Sequence, residues 1–185
     1  MSLLDIYLLG APILRQESRV VEKFDDTVRR LVDDMFETMY AAKGIGLAAP
    51  QVGRSERLAV VDVEQKPYVI VNPEIVYREG SYRAEEGCLS IPEIYGDVER
   101  AAHVTIKALD GNGEPFELHA DDLLARCLQH EIDHLHGRLF IDYLGLLKRR
   151  AAISKWEKLR KGDKSLTRTV SPREAAAQHA RDEEL

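Results

Sequence analysis

Cysteine is scarce, with only Cys88 and Cys127 in 185 residues. Two thiols cannot build a disulfide scaffold, and in such a chain they read as a ligand or a buried small side chain. Long apolar runs are missing too: nothing approaches the roughly 18 residues needed to cross a bilayer, so no membrane role is expected. The stretch from Met1 to Gly10 has no basic start, no sustained apolar segment and no small-residue cleavage site. No secretory signal is legible there, and a cytoplasmic location is expected. A positive surplus is also absent. Lys and Arg number 26 against 32 Asp and Glu, a net charge of −6, which argues against a chain-wide role on DNA but not against a local basic patch. No internal repeat is visible. What remains is an ordinary globular mix, 44% hydrophobic and 31% charged, with enough chain for one domain around a real core.

The first clear element is a helix from about Asp25 to Lys43, where Val28, Leu31, Val32, Met35, Phe36, Met39 and Tyr40 recur at helical steps. That stripe reads as core. Gly44, Gly46 and Pro50 then impose a loop. Arg57–Val63, Tyr68–Glu79, Val98–Leu109 and Pro115–His119 read as strands, the last two joined by the turn residues Asp110-Gly111-Asn112-Gly113. A second helix is expected from Asp121 or Asp122 to about His136, stopped by Gly137, and a third over Leu144 to Lys161. The spacing predicts one α+β domain over residues 1–164, with a frayed tail over residues 165–185 where apolar periodicity fades.

The most informative stretch is Gln129-His130-Glu131-Ile132-Asp133-His134. Histidines four apart share one face of a helix and can grip one cation, while the adjacent Glu131 is placed to work on an activated water. The bland alternative is a helix with two surface histidines. A third protein ligand is needed. The extended metalloprotease pattern would place one at position 140, but Phe140 cannot bind metal. Glu157 is a weak option among Lys155, Trp156 and Lys158. Cys88, in Glu85-Glu86-Gly87-Cys88-Leu89-Ser90-Ile91-Pro92, is a better one, since a thiolate is a strong ligand for zinc or ferrous iron. Cys127 reads as a buried thiol near the wall of the site. In Gly44-Ile45-Gly46-Leu47-Ala48-Ala49-Pro50-Gln51 the glycines permit a tight backbone path. The segment is no dinucleotide fingerprint, because it follows a helix and lacks the third glycine. Gln51 is an amide suited to donating to a developing oxyanion.

Together, Gly44 to Gln51, Glu86 to Ser90 and Gln129 to His134 resemble the three signatures of the peptide deformylase family, in order. The likeness extends through Leu9-Gly10-Ala11-Pro12-Ile13-Leu14-Arg15 and reaches about Arg150. It implies antiparallel β-sheets around a central metal-binding helix, with a long N-terminal helix and a C-terminal helix. It implies Cys88, His130 and His134 as metal ligands, Glu131 as general acid and base, and Gln51 with the Leu89 N–H as oxyanion donors. The implied substrate is the N-formyl group on the initiator methionine of nascent peptides. One thiolate and two imidazoles suit zinc, iron, nickel or cobalt; the resemblance favours Fe2+ in the cell.

Ile45, Gly46, Gly87, Leu89, Arg126 and Cys127 are expected around the substrate side chain. Arg126, one turn before His130, would line that pocket with its stem while its charge reaches water. The resemblance suggests a buried ion pair for Asp133, with Arg100 as the candidate partner, and His103, His119, His136 and His179 have no ligand context. Lys148 to Lys164 is a basic segment whose plain reading is a solvated helix face. The resemblance suggests a ribosome contact there. Two rivals stand beside this reading: another metallopeptidase using Glu157, and a non-catalytic metal-binding module.

Overall fold

The computed structural model describes residues 2–171. In chain order its elements are β1 (Ile6–Tyr7), α1 (Asp26–Ala41), β2 (Gly46–Ala48), β3 (Leu58–Val63) and β4 (Lys66–Glu79). There follow β5 (Tyr82–Cys88), β6 (Ile91–Arg100), β7 (His103–Leu109), β8 (Pro115–Asp121), α2 (Asp122–Leu135), α3 (Leu146–Leu159) and β9 (Thr167–Arg168). The class is α+β, and every strand pairing is antiparallel. Five strands form one sheet in the order β2-β3-β4-β7-β8; β5-β6 and β1-β9 form two-stranded ribbons.

Local chemistry sets the ends. The Asp25 carboxylate accepts hydrogen bonds from the N–H groups of Thr27 and Val28 and starts α1. The helix stops at Ala41, short of the expected Lys43, because Lys43 turns into the left-handed region at φ 58°. Strand β7 and its partner β8 meet across the expected turn, where Gly113 N–H donates to the Asp110 carbonyl. The strand expected over Val98–Leu109 is in fact two. It breaks after Arg100, where the Gln129 side chain takes both backbone groups of Ala101, accepting from its N–H at 3.1 Å and donating to its carbonyl at 2.9 Å. β6 and β7 therefore belong to different sheets.

Strand alternation divides the core. Ala59, Val61 and Val63 of β3 face α2, which contributes Ala125, Leu128, Ile132 and Leu135. Leu58 and Val60 face the opposite way, onto Leu31, Met35 and Met39 of α1. The ribbon β5-β6 packs its own cluster, Ile91, Ile94 and Val98, against Phe140, Ile141 and Trp156. Sheet and ribbon thus enclose α2, whose side chains are buried on nearly every face from Ala125 to Leu135.

The first residues of the expected tail are held in the fold. Thr167 and Arg168 pair with Tyr7 and Ile6, the Leu8 N–H donates to the Leu166 carbonyl, and Val170 is buried with Ile6 and Ala41. A two-residue strand carries too little pattern to be read as one, and α3 is consequently not the last element. The rest of the expected tail, His179 included, lies outside the described residues.

Candidate metal centre and active site

Three elements deliver the polar groups. α2 places His130 and His134 one turn apart, β5 ends at Cys88, and the loop after β2 supplies Gln51. The His130 and His134 Nε2 atoms are 3.2 Å apart, and Cys88 Sγ lies 3.4 Å from His134 Nε2. All three donor atoms fall within 4.8 Å of one another, and they are the one such cluster among the described residues. Bond lengths of about 2.05 Å for nitrogen and 2.3 Å for sulfur around a tetrahedral ion require donor spacings of about 3.3 and 3.6 Å. The two observed spacings, 3.2 and 3.4 Å, lie close to that requirement, and one thiolate with two imidazoles fits a bound divalent metal. Glu157 is not in the cluster; it borders a groove with Leu9 and Trp156. Phe140 stacks on the His130 ring at 6.5 Å, as packing.

The imidazoles are oriented from behind. His130 Nδ1 lies 2.9 Å from Glu86 Oε2, so its proton is directed to that carboxylate and its Nε2 lone pair faces the cluster. Glu86 also accepts from Arg100 Nε at 2.5 Å, Arg100 Nη2 at 2.9 Å and Arg126 Nη1 at 2.7 Å. Burial alone would raise its pKa, but the hydrogen bonds from His130 and Arg100 outweigh burial and hold it at about 2. Arg100 completes the expected pair with Asp133 at 2.8 Å, and Asp133 also accepts from the Tyr143 hydroxyl. Burial keeps His134 well below the ordinary histidine range. Burial opposes charge on His130 as well, but contacts with Cys88 and Glu86 leave its pKa well above that range.

Glu131 is the unpaired acid of the site. It is 4% exposed, and its Oε2 has no hydrogen-bond partner among the described residues. Burial raises its pKa to about 7, against the pull of the charge on His130 and Arg100. Gly46 makes room for it: a Cβ there would land on the Glu131 carboxylate and 2.9 Å from Cys127 Sγ. Gln51 is held at both ends of its amide. Its Oε1 accepts from the Ala48 N–H at 2.9 Å, and its Nε2 donates to Ser90 Oγ at 3.1 Å and reaches Cys88 Sγ at 3.5 Å.

A cavity of about 550 Å³ opens beside this cluster. Gln51, Cys88, Leu89, His130 and Glu131 line it, as do Ile45, Gly46, Gly87, Arg126 and Cys127. Ile45 stands half exposed at the mouth, Gly87 lies beneath the Tyr95 ring, and the Cys127 thiol donates to the Ile45 carbonyl. Burial raises the Cys127 pKa well above the usual thiol range, helped by Glu131. Arg126 corrects the sequence expectation. Its charge does not reach water: the side chain is 7% exposed and its guanidinium is spent on Glu86, Val98 and Tyr82. The sequence reading also gave Glu86, Ser90 and Tyr95 no role. Strand alternation from Cys88 could not have found Glu86, because a bulge separates the two on β5. His103, His119 and His136 pair with Asp121, Glu117 and Glu17, away from the cluster.

A thiolate and two helix-borne imidazoles, with a buried free carboxylate beside a cleft, define a candidate mononuclear metal-hydrolase centre in an α+β domain. The sequence profile of the family described as polypeptide deformylase matches residues 3–150, and the chain belongs to that family. A peptide deformylase from Alkalilimnicola ehrlichii is 52% identical over 163 residues, covering 86% of this chain and 92% of the relative. The crystal structure of a peptide deformylase from Legionella pneumophila is 50% identical, with a TM-score of 0.83, covering 86% of this chain and 96% of that one. The structure of peptide deformylase from Ehrlichia chaffeensis in complex with actinonin is 43% identical, with a TM-score of 0.84, covering 87% and 99%.

Proposed function

We propose that this chain removes the N-formyl group from the initiator methionine of newly made proteins, releasing formate, with Cys88, His130 and His134 as metal ligands. The observation that carries the reading is the buried, unpartnered Glu131 carboxylate on the wall of the cavity beside the three converged donors. Cys88, His130 and His134 would hold a divalent ion, which would supply Lewis acidity and lower the pKa of water toward neutrality. Glu131 takes the proton from the attacking water, and a pKa near 7 suits it to give that proton back. The carbon–nitrogen bond of the formamide then breaks. Glu131 delivers the proton to the departing nitrogen, leaving formate and a free amino terminus.

Gln51 Nε2 and the Leu89 N–H donate to the oxygen that becomes negative. Support for Gln51 lies in its fixed amide: with Oε1 engaged by Ala48 and one N–H given to Ser90, the remaining N–H is directed toward Cys88. Ile45, Gly46, Gly87 and Cys127 form the wall against which the methionine side chain rests. Iron is the metal proposed for the cell, with zinc, nickel and cobalt as substitutes the same donors accept. The cytoplasm is the proposed location. Transient ribosome contact through Lys148 to Lys164 is proposed from charge: on α3 only Trp156 is buried, which leaves its basic side chains facing outward. Anaerobic purification with metal analysis, then formate release from formyl-Met peptides, tests the function. Stoichiometric metal without formate from any formyl-peptide would refute it.

A further inference from the structure

Arg126 leaves α2 and makes contacts on both strands of the ribbon that carries Cys88. Nη1 donates to Glu86 Oε1 at 2.7 Å and to the Val98 carbonyl at 2.9 Å; Nη2 donates to the Tyr82 carbonyl at 2.6 Å. Its Cζ also sits 4.9 Å from the centre of the Tyr82 ring. One side chain thus ties the helix bearing both imidazoles to the first strand, the second strand and the carboxylate that orients His130. Its charge is needed there as well. Arg100 and Arg126 face Glu86 and Asp133 in a buried group of two cations and two anions, with His130 as a further donor. Deleting one cation would leave an anion short of a partner in a region from which water is excluded.

We propose that Arg126 is a positioning residue. It locks the β5-β6 ribbon onto α2 and thereby sets how closely Cys88, His130 and His134 converge on a metal. This rests on the ligand assignment made above, and it predicts a metal-affinity role for a residue that touches no metal. Outer-shell partners of ligating groups typically govern affinity by about 10–100-fold.

The test uses the full chain loaded with cobalt(II), whose visible bands report ligand geometry. Arg126→Met keeps length and apolar stem but loses every donor. It should bind cobalt about 10–100-fold more weakly in chelator competition, with shifted bands. Arg126→Lys should recover part of the loss, since an ammonium reaches Glu86 but cannot also satisfy both carbonyls. If the effect runs through Glu86, the losses in Arg126→Met and Glu86→Gln will be non-additive in the double variant. An Arg126→Met protein with parental cobalt affinity and spectrum, merely melting lower, would overturn the proposal. Should that variant fail to fold, Arg126→Lys carries the test, and parental affinity and bands there overturn it equally. A parent chain that bound cobalt undiminished by Cys88→Ala would instead refute the ligand assignment itself.

Discussion

Two glutamates of one site are driven in opposite directions by their surroundings. Glu131 is buried and its Oε2 has no donor among the described residues, so desolvation dominates and its pKa rises to about 7. Glu131→Gln preserves shape and removes the proposed base. It should keep parental metal content while kcat for formate release falls by about 10²–10⁴; loss of metal in its place would show a structural role. Glu86 is also buried, but donors surround it and its pKa falls to about 2 from an ordinary 4.5. A carboxylate with a depressed folded pKa favours the folded state fully above its unfolded value, and that contribution is lost as pH falls toward the folded one. The span of 2.5 pKa steps corresponds to about 3 kcal/mol. Urea unfolding of Glu86→Gln should therefore show a deficit of about 3 kcal/mol near pH 7, shrinking between pH 4.5 and 2. A deficit that stayed constant over that window would mean that ionisation of Glu86 does not stabilise the fold.

At the scale of elements, the helices were legible and the metal-bearing ribbon was not. α1 and α2 announce themselves through three- and four-residue apolar steps, and α2 ends at the expected place because Gly137 takes φ 69° after it. The segment from Tyr82 to Arg100 lacks that clarity. Its inward positions include Glu86 and Arg100, whose burial becomes affordable only once each meets the other from the two paired strands and α2 adds Arg126 and Asp133. No local pattern reports such a partnership, although the motif residues themselves, Cys88 among them, stood in plain view. Glycines at element joints matter for the same non-local reason. A Cβ at Gly137 would sit 2.6 Å from the Arg15 carbonyl oxygen, with the backbone left-handed besides. Gly137→Ala should cost about 1–3 kcal/mol from backbone strain alone, read in a denaturant melt. Gly46→Ala differs: its Cβ meets a side chain, the Glu131 carboxylate. Turnover should collapse while metal is retained, because the displaced group is the proposed base.

For the molecule as a whole, the two ends of the described chain close together behind the active-site loop. β1 pairs with β9, the Leu9 N–H donates to the Ser90 carbonyl at 2.9 Å, and Val170 is buried with Ile6 and Ala41, with Leu89 packed against that cluster. Leu89 is the residue whose N–H is proposed to hold the oxyanion, and Val170 stands one layer of apolar contacts behind it. Burying a valine is worth about 1.5–3 kcal/mol, and a carboxylate in its place adds a desolvation penalty. Val170→Asp should therefore destabilise the fold by at least about 2 kcal/mol and lower kcat as Leu89 loses its backing. A chain ending at Lys164 should do the same. Leu147→Ser provides the contrast: Leu147 is 78% exposed on α3, and its loss should change stability by less than about 0.5 kcal/mol. Thermal melts and formate release on the three proteins decide the matter. Parental kcat in a stably folded Val170→Asp protein would show that the closing strand steadies the fold without reaching the chemistry.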